Sequence, residues 1–284
     1  MISSKMLIKS EKIYPKKKLG QNFLNYPSVA EKIVRLSGVT NENVIIELGA
    51  GLGALTIPLA RVVQKIYAVE KDQQIANILK AQLKNNIISN VLLLEDDIMN
   101  VDFNEIAEKE NCSIIVFGNL PYNISSQVII KLIKFRKVTD YAIFMFQKEL
   151  AQRLAAQPGS KAYGRLTVML SYCASIKKIA DIKASVFYPV PKVDSVVLEI
   201  KINKTIKDKA NDEVLFGRVV KAAFGKRRKI LKNALIQSDL DLDANILLQL
   251  LERVNIDPLR RAETISVTEY VKLSNILYDY LNQN

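Results

Sequence analysis

The segment Val44-Ile45-Ile46-Glu47-Leu48-Gly49-Ala50-Gly51-Leu52-Gly53 decides the fold of this chain. An apolar run typical of a buried strand leads into three glycines spaced G-x-G-x-G, and an apolar, helix-like segment follows. Glycines at a strand-to-helix turn permit tight backbone geometry and the close approach of a ligand. The spacing differs from the dinucleotide pattern G-x-G-x-x-G, and the acidic Glu47 suits a cationic ligand better than a pyrophosphate. Taken alone, the loop also fits a structural turn or a nucleotide site.

Short apolar runs continue downstream of this loop and alternate with helix-like segments. The predicted strands are residues 44–48, 66–70, 91–94, 114–118 and 141–146, and segments 73–83 and 127–135 between them have helical periodicity. This alternation predicts βαβ units and a parallel sheet. Two later strand-like stretches, 176–182 and 195–200, predict an antiparallel hairpin at one side of the sheet.

The composition changes after residue 200. The polar stretch 201–213 is followed by helical periodicity to the end of the chain. We therefore predict two domains, residues 1–200 with the sheet and residues 201–284 with helices only.

Histidine is absent from the 284 residues, which excludes catalytic triads and imidazole metal ligands. The two cysteines, Cys112 and Cys173, form no metal-spaced pair, so no metal site is expected. No apolar stretch approaches the roughly 20 residues needed to cross a bilayer. We expect a soluble, cytoplasmic protein without membrane contact.

The net charge of +12 is concentrated towards the two ends of the chain. Clustered lysine and arginine indicate a polyanionic partner, because they release counterions from phosphates; a solvated basic surface is the alternative. The residues predicted to contact RNA are Lys16, Lys17, Lys18, Arg218, Lys221, Lys226, Arg227, Arg228, Lys229 and Lys232.

Acidic residues follow two further strands. Glu70 lies where a nucleoside-binding fold places an acid against the ribose hydroxyls. Asp97 can accept from an adenine amino group while Ile98 packs on the ring, although both acids also fit ordinary loops. Together with Glu47, these positions predict an adenosine-shaped groove for a cationic ligand without phosphate, such as S-adenosylmethionine.

The tetrapeptide Asn119-Leu120-Pro121-Tyr122 follows the fourth strand. The Asn119 side-chain oxygen and the Leu120 carbonyl can accept hydrogens from an exocyclic amine, and Tyr122 offers a face for stacking. Phe187 begins the segment Phe187-Tyr188-Pro189-Val190-Pro191, whose two prolines restrict the backbone, and it is expected to project over the sheet edge and stack on the other face of the base. An ordinary Asn-Pro turn and a core aromatic residue are the alternatives.

Taken together, these residues resemble a known family, the ribosomal RNA adenine N6-dimethyltransferases of the small subunit. The resemblance covers nearly the whole chain and is carried by residues 19–24, 47–53, Asp97, 117–125 and 187–195. It implies a Rossmann-like α/β fold, with a seven-stranded class I methyltransferase sheet and a small all-helical C-terminal domain. It also implies dimethylation, with S-adenosylmethionine, of two adjacent adenosines near the 3′ end of 16S ribosomal RNA.

The resemblance completes the predicted site. The predicted cofactor-binding residues are Gln21, Asn22, Leu24, Gly49, Gly51, Glu70, Asp97, Ile98 and Asn119. The predicted catalytic residues are Asn119, Leu120, Tyr122 and Phe187. The expected partner is the small-subunit RNA in a pre-30S or 30S particle, bound by a monomer, with a role in subunit assembly.

Three alternatives stay open at this point. The related large-subunit methyltransferase of macrolide resistance shares the first motifs, but segments 161–166 and 224–229 look like the small-subunit group. Gly225 departs from the polar residue expected there. A NAD-dependent oxidoreductase is disfavoured by the glycine spacing, by Glu47 and by the absence of histidine. A non-catalytic assembly factor with the same fold is the third alternative.

Overall fold

The computed structural model describes residues 3–16, 20–121, 123–226 and 228–283. Its elements, in chain order, are α1 (Ser4–Ser10), β1 (Phe23–Leu24), α2 (Pro27–Ser37), β2 (Val44–Leu48), α3 (Thr56–Ala60), β3 (Lys65–Val69), α4 (Gln73–Asn85), β4 (Val91–Leu94), α5 (Phe103–Glu110), β5 (Ile114–Asn119), α6 (Ser125–Lys134), β6 (Thr139–Gln147), α7 (Lys148–Leu154), α8 (Arg165–Cys173), β7 (Ala174–Ile182), β8 (Phe187–Tyr188), β9 (Ser195–Ile202), α9 (Glu213–Gly225), α10 (Leu231–Ile236), α11 (Ala244–Arg253) and α12 (Val267–Gln283).

A seven-stranded sheet has the order β4-β3-β2-β5-β6-β9-β7. Strands β2 to β6 pair in parallel with their neighbours, and β9 pairs antiparallel with β6. The chain builds outward from β2 through β3 to β4 and then resumes at β5 on the other side of β2. Ligands of open α/β sheets bind at the carboxyl ends of the strands where this reversal occurs.

The core of this sheet follows from its apolar strands. All five residues of β2 are buried, as expected for a strand covered by helices on both faces. Helices α2, α3 and α4 contribute Ile33, Leu59 and Leu79 to the apolar cluster on one face. Helix α4 begins at an N-cap, Asp72, whose carboxylate accepts from the Gln74 amide.

The strands lie close to their predicted positions. Strands β2 and β4 have the predicted bounds, and β3, β5 and β6 differ by one or two residues at an end. The two late strands, β7 and β9, are neighbours at one side of the sheet, as predicted. The two-stranded antiparallel pairing of β1 with β8 was not predicted, because strands of two residues carry no periodicity.

The chain divides into two compact units. One consists of Met1–Ala151 with Ser175–Ile202, and the other of Gln152–Ala174 with Asn203–Asn284. The division after Ile202 is close to the predicted boundary at residue 200. However, the segment Gln152–Ala174, which the sequence analysis assigned to the first domain, belongs to the second unit.

The second unit is helical and has an aromatic core. The Tyr172 and Phe216 rings have centroids 4.7 Å apart, and Phe224 lies between Tyr163 and Tyr270, at 6.3 and 6.1 Å. Because Tyr163 and Tyr172 come from the segment before β7, their aromatic contacts explain why that segment groups with the later helices. Helix α9 ends at Gly225.

We expect Gly53→Ala to destabilise the protein more than Gly38→Ala. Both glycines have positive φ, +84° and +70°, so an alanine costs roughly 1–2 kcal/mol of backbone strain at either. At Gly53 the new Cβ would also lie 2.7 Å from Cδ1 of the buried Leu79, whereas nothing lies within 4 Å at Gly38. This overpacking should add about 1–3 kcal/mol. Urea denaturation checks it, and equal losses of stability would contradict it.

Candidate active site

A solvent-open cleft lies at the carboxyl ends of β2, β3, β4 and β5. Its lining comes from five parts of the chain, namely residues 20–24, the glycine-rich loop with Glu47, Glu70 with Lys71, Asp97 with Ile98, and Asn119, Pro121, Asn123 and Ile124 at the end of β5 and after it. Leu120, a predicted catalytic residue, is not part of this lining. All the predicted cofactor-binding residues line this cleft. The structure therefore brings these residues together, while their contacts with a cofactor stay a prediction.

The glycine-rich loop forms the base of the cleft. Gly49 and Gly51 have φ of +78° and +57°, which favours residues without a Cβ. A Cβ on Gly51 would lie 3.3 Å from the Phe23 ring, and one on Gly49 would lie 3.7 Å from Ile98. At these glycines, the backbone atoms of the loop therefore face the cleft without side chains, and they lie between the side chains of Phe23 and Ile98.

Glu70 connects the ends of β2 and β3. One carboxylate oxygen accepts from the Gly51 amide at 2.9 Å, and the other accepts from the Asp72 amide at 2.8 Å. Burial raises the pKa of Glu70, although these backbone hydrogen bonds oppose the rise. Each oxygen keeps a further lone pair, so the side chain can still accept from ligand hydroxyls.

Asp97 is held in place at the end of β4. Its carboxylate accepts from the Lys71 ammonium at 2.7 Å and from the Met99 amide at 2.9 Å. The Lys71 hydrogen bond, followed by that of Met99, lowers the pKa of Asp97. The group is therefore an ionised acceptor, and the buried Ile98 beside it contributes an apolar surface to the cleft.

Glu47 is a buried acid without a compensating charge. It is 1% exposed, and its Oε2 has no hydrogen-bond partner among the described residues. Burial raises the pKa of Glu47 to about 8; Thr56 acts in the opposite direction, and the nearby Glu70 adds to the rise. A buried carboxyl that lines a ligand cleft in this state is complementary to a positive charge.

Three of the four predicted catalytic residues, Asn119, Leu120 and Tyr122, come from the last residue of β5 and the sequence that follows it. The Asn119 side-chain amide donates from Nδ2 to the Asn22 carbonyl at 3.0 Å. Among the described residues, its Oδ1 makes no hydrogen bond, so this oxygen is available as an acceptor. The Leu120 side chain is buried against Gly118, where a Cβ would lie 2.8 Å from Leu120 Cδ2. Tyr122 lies outside the described residues.

Phe187 differs from its prediction. The sequence analysis expected the prolines to hold this ring out over the sheet edge, but the side chain is 2% exposed and belongs to the buried apolar cluster. Its strand, β8, pairs with β1, in which Leu24 is opposite Phe187. With this pairing, the ring lies inside the apolar cluster. Stacking on a base stays a prediction, and it requires the ring to become accessible.

The segment before β1 forms one side of the cleft. Gln21 and Asn22 line it, and Gly20 lies against Pro121, since a Cβ on Gly20 would come within 3.2 Å of Pro121 Cβ. Lys16, predicted to contact phosphate, forms an ion pair with Asp72 at 2.8 Å, and its contact with RNA stays a prediction. The sequence analysis missed Asp72, whose only signal is its position before a helix. Lys17 and Lys18 lie outside the described residues.

The basic segment of the second unit, residues 217–232, contains no acidic residue, but Asp239 outside the segment supplies a negative charge. Arg218 donates to the Asp239 carbonyl at 2.8 Å, and Lys221 pairs with the Asp239 carboxylate at 3.2 Å. Lys226 donates to Gln237, and Lys232 is partly buried. Arg228 and Lys229 are exposed, and Arg227 lies outside the described residues. Contacts of these residues with RNA stay a prediction.

Across the part of the chain that the structure describes, no helix combines the length and apolar character needed to span a bilayer. Among the same residues, no group of three or more acidic or cysteine side chains is arranged to bind a metal ion.

Solved structures identify the class of fold. A dimethyladenosine transferase from Plasmodium falciparum has a TM-score of 0.76 with 24% identity, covering 88% of this chain and 95% of that one. The 23S rRNA methyltransferase ErmE has a TM-score of 0.69 with 18% identity, covering 90% and 99%. The sheet and its helices are those of a Rossmann-like class I methyltransferase, with a helical C-terminal region.

Sequence comparison identifies the family. A family model described as ribosomal RNA adenine dimethylase matches residues 14–277. The protein named ribosomal RNA small subunit methyltransferase A of Desulforapulum autotrophicum is 46% identical over 273 residues, which cover 96% of this chain and 95% of that relative. The chain belongs to the ribosomal RNA adenine dimethylase family, as its motifs indicated.

We expect Glu47→Gln to reduce the pH dependence of stability. Between the ordinary pKa of about 4.5 and its native pKa of about 8, Glu47 binds a proton that the unfolded chain releases. The contribution of Glu47 to the free energy of unfolding is therefore fully present at low pH. Between these two pKa values it is lost as the pH rises, by roughly 1.4 kcal/mol per pH unit. Urea denaturation at pH 6, 7 and 8 measures the slope.

The exposed Glu42→Gln is the matched control, because it removes a carboxyl without changing a buried site. Its slope should equal that of the unmodified protein. A Glu47→Gln slope that is also unchanged would mean that Glu47 is ionised in the native protein.

Proposed function

We propose that the chain transfers methyl groups from S-adenosylmethionine to the N6 amines of two adjacent adenosines near the 3′ end of 16S ribosomal RNA. The observation that carries this proposal is the position of Asn119, with an available acceptor oxygen, in a cleft that also contains the buried carboxyl of Glu47. Family membership supports an enzyme of ribosomal RNA adenine dimethylation. The name of the 46% identical relative supports the small subunit as the target.

The cleft fits the proposed methyl donor. Its acids are complementary to the different parts of the molecule: Glu47, whose Oε2 has no hydrogen-bond partner among the described residues, to its positive charge, Glu70 to ribose hydroxyls and Asp97 to an adenine amino group. The glycine-rich loop contributes backbone close to these acids and no phosphate-binding lysine. When bound, S-adenosylmethionine supplies an electrophilic methyl group on a sulfonium.

The residues of the chain prepare the acceptor amine. The adenine N6 is a poor nucleophile, because its lone pair is delocalised into the ring. Hydrogen bonds from N6 to Asn119 Oδ1 and to the Leu120 carbonyl favour a tetrahedral nitrogen, on which the lone pair is localised. Positioning of the reacting atoms about 3 to 3.5 Å apart then supplies most of the rate enhancement. No imidazole base is required, which agrees with the absence of histidine.

We propose that the RNA contacts come from exposed basic residues, with Arg228 and Lys229 as the leading pair. A monomer as the working unit is part of the proposal. The proposed substrate is the small-subunit RNA in a pre-30S or 30S particle in the cytoplasm, and a role in subunit assembly is part of the proposal.

Transfer of labelled methyl groups tests the function. The protein is incubated with labelled S-adenosylmethionine and either unmethylated small subunits or large-subunit RNA, and the nucleosides are then separated. We expect N6,N6-dimethyladenosine in small-subunit RNA only. Product in large-subunit RNA would favour the resistance-type enzyme, and tight subunit binding without product would favour an assembly factor.

The variant Asn119→Ala separates catalysis from binding in this assay. Loss of the acceptor oxygen should reduce methyl transfer by at least about 100-fold, a size typical of the loss of a polar group that acts on the reacting atoms. Subunit binding, measured by co-sedimentation, should be unchanged, because Asn119 is not among the basic residues that meet the phosphates. Methyl transfer within threefold of the unmodified protein would contradict the assigned role.

Arg228 and Lys229 are expected to contribute to the affinity for RNA. The double variant Arg228→Ala/Lys229→Ala should lose about two phosphate contacts. The slope of log affinity against log salt concentration should therefore become shallower by about two, because each contact releases about one counterion. The matched control is Arg218→Ala/Lys221→Ala, which also removes two charges, but from side chains that already contact Asp239. Its effect should be smaller. Plots of affinity against salt measure both, and equal effects would contradict the distinction.

A further inference from the structure

Asp72 is a nearly buried carboxylate that the proposed reaction does not use. Its side chain is 4% exposed and accepts three hydrogen bonds. Oδ1 accepts from the Gln74 amide at 3.2 Å and caps helix α4. Oδ2 accepts from the Lys16 ammonium at 2.8 Å and from Gln21 Nε2 at 3.1 Å. The capping bond is local, whereas the other two bonds connect the helix start to the segment before β1.

Gln21 transmits this connection along the segment. While its Nε2 donates to Asp72, its Oε1 accepts from the Lys16 amide at 2.7 Å. One side chain therefore fastens two points of the segment to each other and to the start of α4. The fixed residues continue directly into Gly20 and Asn22, which line the cleft.

The same segment determines which way the Asn119 amide faces. The Asn22 carbonyl accepts from Asn119 Nδ2 at 3.0 Å. An amide group has a donating and an accepting end, and the partner of one end decides the direction of the other. Because Nδ2 is bound to Asn22, Oδ1 is the end that remains for an amine. Gly20 packs against Pro121 and fixes the distance between the two segments.

We propose that Asp72 is a positioning residue for methyl transfer, which acts through Gln21 and Asn22 to orient the Asn119 amide towards the acceptor amine. This inference rests on the proposed function. Asp72 then affects the acceptor amine, although it lies two residues after Glu70, the predicted ribose contact. Loss of its bond to Gln21 lets the segment move, and the amide loses the partner that sets its direction.

The test variant is Asp72→Asn. Asparagine is as good an N-cap as aspartate, so the bond to the Gln74 amide is kept. The second end of the new amide is a donor, and it faces the donors of Lys16 and Gln21 instead of accepting from them. The control is Asp243→Asn, the same substitution at the N-cap of α11 in the helical unit.

The first readout is hydrogen exchange of the protein without ligand, which does not depend on the proposed function. We expect Asp72→Asn to increase amide exchange at least tenfold in residues 20–25 and in residues 119–124, with α4 unchanged. Asp243→Asn should change neither. Unchanged exchange in both segments would overturn the proposal whatever the activity, because the connection would then be absent.

The second readout is kinetic. For Asp72→Asn we expect kcat to fall at least tenfold, since small displacements of reacting groups have effects of this size. The double variant Asp72→Asn/Gln21→Met should be no slower than the slower of the two single variants, because the two residues act in one pathway. A raised KM for S-adenosylmethionine with unchanged kcat, or multiplicative losses in the double variant, would overturn the proposal. If the unmodified protein transfers no methyl, the proposed function fails, while the exchange result still decides whether the connection exists.

Discussion

The hydrogen bonds of the Glu70 carboxylate are the constraint on which the rest of the cleft depends. The two oxygens accept from Gly51 and Asp72, so a single side chain fixes the glycine-rich loop and the start of α4 relative to each other. Hydrogen bonds from backbone amides to a carboxylate are about twice as strong as those between neutral groups. The same stretch of backbone carries Lys71, whose ammonium donates to the Asp97 carboxylate at 2.7 Å.

The cleft combines two acids whose pKa values are shifted in opposite directions. Lys71 keeps Asp97 ionised, whereas burial without a counter-charge favours the protonated form of Glu47. A cationic ligand reverses the second preference and supplies the missing counter-charge. The site is therefore complementary to a ligand with a positive charge at one end and a neutral hydrogen-bonding ring at the other.

Most of the sheet could be predicted from the sequence because its strands are short apolar runs with clear ends. The strand β2 and its glycine-rich loop had the predicted bounds, and the strand-end residues Glu70, Asp97 and Asn119 lie in one cleft, as parallel strands require. Local pattern was sufficient for these features, since each depends on residues that are near in sequence.

The features that could not be predicted depend on contacts between distant residues. The pairing of β1 with β8 buries Phe187, and nothing in the sequence around Phe187 indicates that partner. Asp239, which follows α10, provides the counter-charge for Lys221 of α9. Asp72 could not be predicted as part of the site, because its bonds to Gln21 and Lys16 join residues that are far apart in sequence.

The division of the chain into interleaved units has a consequence for synthesis on the ribosome. The segment Gln152–Ala174 leaves the sheet unit before β7 and β9 are made, yet its aromatic residue Tyr172 packs on Phe216, which emerges much later. At a translation rate of roughly 5–20 residues per second, this helix waits for seconds with an uncovered aromatic face. The last part of the chain to be synthesised completes the second unit.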